Sequence, residues 1–209
     1  LNIICATDFS HHAERAAEAA VSVAERFQVN LTLVHAVNRP AVHLLPEPMR
    51  DIWTGEANIA LRKLAEKLSF RDPDVATQLL TGVPDEAVSS HVRETRPDLL
   101  VLGSLGERNT DEWIIGSTAE RLADASPVPI LLVRDPAPFR AWSKKNTPLR
   151  IFFAYDFDET SDLALAYLGN WAQVGAVAVS VAHVDWPPDE YSRFGIHRPM
   201  SLTSNDPQV

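Results

Sequence analysis

The chain has 209 residues, enough for one large or two small domains, and 45% of them are hydrophobic, enough to fill a packed core. A formal net charge of −9 argues against binding along a phosphate backbone, so no nucleic acid partner is expected; a local anion site made from backbone N–H groups stays open. The single cysteine, Cys5, excludes a disulfide framework and points to a reducing, cytoplasmic setting, while no apolar run approaches the ~18 residues that cross a membrane.

The N-terminus enters "NIICAT" directly, a short apolar strand, with no charged leader before it. Its first residue is not Met, which reads as a processed or trimmed chain. Asp8 and Ser10 follow, and Ser10 is placed to cap the helix "HHAERAAEAAVSVAERF", whose Ala13, Ala16, Ala17, Ala20, Val21 and Ala24 recur at helical spacing. "NLTLVHAV" is β-branched and reads as a strand. Three prolines then break the chain before a second amphipathic helix, "MRDIWTGEANIALRKLAEKL". "VATQLLTG" is the third strand, ended by Gly82 and Pro84, and "PDEAVSSHVRET" is a helix with Pro84 in its first turn. "DLLVLG" is a buried strand, "STAERLADA" a helix and "VPILLV" the last strand of the series.

Strands alternating with helices predict a doubly wound, open, parallel five-stranded sheet of the Rossmann-like α/β class over residues 1–134. Residues 135–148, rich in proline and polar groups, read as a linker. The chain after it repeats its own beginning. At an offset of 148 residues, Ile3 meets Ile151, Asp8 meets Asp156, Phe9 meets Phe157, Ala24 meets Ala172 and His35 meets His183, with no gap. Residues 149–209 are therefore expected to hold a partial second repeat, β-α-β, followed by an irregular tail, naturally truncated or cut from a longer tandem protein.

The stretch "GSLGERNTDEWIIGST" places three of the chain's 8 glycines between a strand and a helix. The spacing is Gly103, two residues, Gly106, nine residues, Gly116, then Ser117. A helix N-terminus at the carboxyl end of an open sheet offers N–H groups and a positive dipole end to an anion. Glycines there allow close backbone approach and positive φ where it is needed. Read singly, Gly103 and Gly106 make a turn and Ser117 caps a helix. Together they favour a phosphate site, which is neither G-x-x-x-x-G-K nor G-x-G-x-x-G.

This G-x2-G-x9-G-[ST] pattern, with "ATDFS", "LVHAV" and "GVP", resembles the nucleotide signature of ATP-binding universal stress proteins. The resemblance spans residues 2–134 as a whole domain and 149–185 as the first third of another. It implies that Asp8 faces the adenine and ribose end of ATP, Ala36 binds adenine through its backbone and Val83 packs near the base. It further places Gly103 by the ribose, with Gly106, Gly116, Ser117 and Thr118 on the phosphates. By itself Asp8 is as readily a turn or capping residue, and His35 a packed strand-end histidine. Arg108, between Glu107 and Asn109, reads as solvated rather than phosphate-bound. Asp111 and Glu112 depart from a neutral loop and suggest that phosphate enters with Mg²⁺.

No catalytic constellation emerges, and His11 and His12, adjacent at a helix start, do not make a metal pair. The leading expectation is a regulatory, stress-response ATP-binding protein whose nucleotide state tunes dimerisation or binding to an unknown protein partner. A homodimer is expected through residues 128–133, an apolar strand at the sheet edge. The alternatives are an enzyme that hydrolyses or transfers from ATP, with Asp111 or Glu112 as base, and a nucleotide-free dimerisation module. The second repeat keeps Asp156 but has no glycine loop, so a structural role is expected for it.

Overall fold

The computed structural model describes residues 2–38, 47–69, 75–105 and 115–184. Its first half is the expected parallel sheet: β1 (Asn2–Ala6), β2 (Asn30–Val37), β3 (Val75–Thr81), β4 (Leu99–Gly103) and β5 (Ile130–Val133), in the order β3-β2-β1-β4-β5. The helices between them are α1 (His11–Phe27), α2 (Glu47–Leu68), α3 (Pro84–Thr95) and α4 (Ser117–Ala125). The near-continuous apolar runs bury both faces, as a parallel sheet requires. Ile3, Cys5, Leu31, Leu33, Leu99 and Val101 pack with α1 and α2 on one side. Ile4, Val34, Leu100 and Leu102 pack with α3 and α4 on the other.

α1 begins where Ser10 Oγ accepts from the Ala13 N–H at 3.2 Å. It ends at Gln28, held at φ 57° in the left-handed region. Gly82, between β3 and α3, sits at φ 147°, a conformation that side chains rarely adopt, and donates its N–H to the Val37 carbonyl.

The segment expected to be a linker is not irregular. Residues Ala137–Lys145 form α5, which lies along α1. Arg140 Nη1 reaches Glu18 Oε2 at 2.9 Å, and Ser143 Oγ donates to Glu25 Oε2 at 3.0 Å. Trp142 is fully buried. Pro138 lies in the first turn, where its missing N–H has no intrahelical use.

The second unit is the predicted strand–helix–strand: β6 (Leu149–Ala154), α6 (Glu159–Val174) and β7 (Val177–Ala182). Its register copies the first unit. Ile3 pairs with Leu31 and Ile151 with Val179; Ala6 pairs with Val34 and Ala154 with Ala182. Asp158 caps α6 by accepting from the Ser161 N–H, as Ser10 caps α1. The unit docks on the first through aromatic rings. Trp171 stacks on Trp142 at 5.5 Å and meets Phe27 edge-on at 5.4 Å, while the Tyr167 hydroxyl donates to the Asp98 carbonyl at 3.1 Å. Residues 185–209 lie outside the described residues.

Candidate functional site

β1 and β4 are neighbours, but the chain leaves β1 toward β2 and leaves β4 toward β5. Connections run off in opposite directions there, so a crevice opens between the strand ends. A cleft of about 760 Å³ occupies this place. That volume lies within the roughly 300–1,000 Å³ typical of small-molecule sites.

The β1 wall is a tight, locally bonded turn. The Thr7 N–H donates to the Val34 carbonyl at 2.9 Å, continuing the ladder past the strand end. Phe9 takes φ 64°, and its N–H donates to Thr7 Oγ1 at 3.0 Å. Asp8 is exposed and lines the cleft, yet its Oδ1 accepts from the Ser10 N–H at 3.0 Å. The aspartate thus shapes the turn that launches α1, as well as facing the opening. His35 also lines the cleft. Its Nδ1 lies 2.8 Å from the Thr7 carbonyl, which only accepts, so Nδ1 carries the proton. The Phe9 ring packs on it at 4.4 Å.

Ala36 supplies backbone. The Val34 carbonyl faces β1 and the Val37 carbonyl faces β3, where it accepts from Gly82. Backbone groups alternate sides along a strand, so the N–H and C=O of Ala36 face the β1 side. The β1 register ends at Ala6–Val34, one step short of them.

On the β4 side, a Cβ on Gly103 would lie 3.0 Å from the carbonyl carbon and oxygen of His12. This glycine lets the first turn of α1 cross the end of β4. The Gly116 N–H donates to the Ser104 carbonyl at 2.9 Å, bringing the two ends of the glycine loop together. Gly116 is the N-cap of α4 at φ −63° and ψ 140°, with no side-chain cap. That conformation suits any residue, so the expectation of positive φ at this glycine is corrected: the bare N-cap opens the helix terminus. The N–H groups of Ser117, Thr118 and Ala119 have no acceptor within the helix. All three residues line the cleft.

Asp8, Ala36, Gly103, Gly116, Ser117 and Thr118 thus meet in one cleft. Val83 does not line it: Val83 is the N-cap of α3, and its neighbours Pro84 and Val88 face the space instead. Gly106, Arg108, Asp111 and Glu112 lie outside the described residues. Sequence reasoning missed Asn38, Leu105 and Glu120. Asn38 sits one residue past β2, a position that the rule of strand carboxyl ends would have flagged. Among the described lining residues the only charged groups are Asp8 and Glu120, with no Lys or Arg. The fixed positive potential that they supply comes from helix N-termini, of which the α4 terminus opens on the cleft without a side-chain cap.

A family model described as the universal stress protein family matches residues 1–134. No curated protein matches the chain. Among solved structures, universal stress protein UspA from Lactobacillus plantarum is 26% identical, with a TM-score of 0.57, covering 64% of this chain and 97% of that one. A universal stress protein in complex with cAMP is 22% identical, with a TM-score of 0.53, covering 64% and 96%. A universal stress protein from Archaeoglobus fulgidus DSM 4304 is 17% identical but covers 93% of this chain and 71% of its own, with a TM-score of 0.71.

Proposed function

The chain belongs to the universal stress protein family, and from that premise we propose that it binds ATP in the cleft between the ends of β1, β2 and β4, as a regulatory stress-response protein. The observation that carries this reading is the facing pair of backbone features. The uncapped α4 terminus suits the phosphates, and the Ala36 backbone, turned to the β1 side, suits the edge of an adenine. The structural neighbour solved with cAMP, an adenine nucleotide, supports the ligand class. Thr118 and Ser117 add hydroxyl donors to the phosphate end. Asp8 and Glu120 oppose a bare polyphosphate, so the nucleotide enters with Mg²⁺ as counter-ion.

The partner reading is a homodimer through residues 128–133. β5 forms a sheet edge, and the β4 bonds to the Pro129 and Val133 carbonyls leave the backbone of Ile130 and Leu132 directed outward. Nucleotide occupancy then tunes that association or the binding of a further protein. Native mass spectrometry of the purified protein, followed by calorimetric titration with ATP and Mg²⁺, tests the reading. Retained or saturable 1:1 adenine nucleotide is the expected result. Absence of both overturns it.

A further inference from the structure

Given nucleotide binding in this cleft, on which the inference rests, we propose that Glu120 sets the charge state of the nucleotide that the cleft accepts. It penalises each ligand in step with the negative charge that the ligand brings, and so selects the Mg²⁺ complex of a polyphosphate over the bare one. The apolar side of α4 fixes its rotation: Ala119 and Leu122 are buried with Ile4, Leu100 and Leu102, while Glu120 is left on the cleft wall. The Glu120 N–H donates to the Gly116 carbonyl at 2.9 Å, so this residue stands one turn behind the free N–H groups of the helix end. Residues three and four apart share a helix face, and Cβ bonds tilt toward the N-terminus. Glu120 therefore lies on the face of Gly116 and Ser117 and leans toward them, about 5 Å of rise from the terminus.

That carboxylate is not neutralised. Among the described residues Glu120 makes no side-chain hydrogen bond or ion pair. Its neighbours three and four residues away are Gly116, Ser117, Ala123 and Asp124, none of them a cation. Arg121, next in sequence, does not share its face and is committed to α3, where its Nε donates to Asp85 Oδ2. Asp8, the other charge on the wall, differs. Its Oδ1 accepts from the Ser10 N–H at 3.0 Å, so part of its charge is answered at the start of α1. Repulsion between a carboxylate and one phosphate charge about 7 Å away in a water-like medium amounts to roughly a threefold loss of affinity before salt screening. Metal-free ATP brings roughly two more negative charges than AMP, and Mg²⁺ cancels about as many.

Calorimetric titration of the full chain and of Glu120→Gln with AMP and with ATP, each in EDTA and in Mg²⁺, tests the proposal. In the unmodified chain Mg²⁺ should raise ATP affinity about tenfold and AMP affinity much less. Glu120→Gln, at an exposed position, should raise metal-free ATP affinity about fivefold and AMP affinity less, so that the advantage of Mg²⁺-bound over metal-free ATP shrinks at least threefold. Glu120→Asp, which keeps the charge, should keep that advantage. Residues 106–114 are common to all the proteins, so their charges cancel from the comparison. An advantage unchanged in Glu120→Gln overturns the proposal and leaves nucleotide binding in place. So does equal ATP affinity with and without Mg²⁺ in the unmodified chain. Failure of both nucleotides to bind under any condition overturns the nucleotide reading itself, and this one with it. If Glu120→Gln does not fold, Glu120→Ala decides in its place.

Discussion

His35 donates from Nδ1 to the Thr7 carbonyl at 2.8 Å, and 148 residues later His183 makes the same 2.8 Å bond to the Tyr155 carbonyl. Each ring also meets the phenylalanine two residues after that carbonyl, Phe9 at 4.4 Å and Phe157 at 4.8 Å. Both phenylalanines hold positive φ, 64° and 53°. The same bond recurs at the same turn in both units, so it serves that turn. The histidine clamps a backbone that would otherwise relax.

His35→Leu should therefore lower the unfolding free energy by about 1–2 kcal/mol, the cost of leaving a half-buried carbonyl without its donor. His183→Leu should loosen the second unit in the same way. Urea unfolding measures the first and hydrogen exchange of residues 155–161 the second. Undiminished stability in His35→Leu would show that the clamp does not hold the turn.

The two described glycines of the loop should respond oppositely. Gly103→Ala forces a Cβ to 3.0 Å from the His12 backbone and 3.1 Å from the Ala13 nitrogen, so it should cost about 1–3 kcal/mol of stability. Gly116→Val occupies an extended N-cap that accepts side chains, so the fold should survive. Its isopropyl group would stand over the N–H groups of the α4 terminus. ATP affinity should fall at least tenfold, roughly 1.4 kcal/mol. Thermal melts and calorimetry on both variants separate the roles; a stable Gly103→Ala or a Gly116→Val of normal affinity contradicts the assignment.

Gly175 marks the tightest contact between the units. A Cβ there would lie 2.5 Å from Trp142 Nε1 and 2.7 Å from Arg26 Nε. Its φ of −168° is ordinary extended backbone, so space alone demands the glycine. Gly175→Ala should part the Trp142–Trp171 stack, shift the tryptophan emission to the red and destabilise the chain by about 1–3 kcal/mol. An unchanged spectrum and melting curve would show that the junction yields without cost.

Cys5 is wholly buried in β1, and burial pushes its thiol up to about 12. A thiol reagent at pH 8 should modify it only at the rate of global unfolding, since both access and thiolate are lacking. Fast labelling of the native protein would mean that β1 opens locally.

The sheet, its order of elements and the repeat were legible because apolar period and turn residues report them directly. β6 and β7 could be placed by offset alone, down to register. α5 was not legible. Pro136, Pro138 and Pro148 suggest a broken segment, and what makes Ala137–Lys145 helical is tertiary: Trp142 buried against α1 and α6. At the cleft, the glycine pattern located the loop but not the reason for each glycine. Gly103 answers to a crossing helix, and only coordinates give that distance. Glu120 escaped notice because its place on the cleft wall depends on how α4 is rotated, which the spacing does not fix.

The α5 contact also fixes where this chain can be divided. A cut after Val133 strips Arg140 and Ser143 from Glu18 and Glu25 and bares the flank of α1 that Trp142 covers. A cut after Thr147, one residue beyond Asn146, which ends α5 at φ 51° and accepts from Arg26 at 2.7 Å, keeps that flank dressed and sacrifices the second unit's contacts, among them the Trp171 ring on Trp142 and Phe27 and the Tyr167 bond to Asp98. A recombinant first unit intended for nucleotide titration is better ended at Thr147 than at the last strand of its sheet.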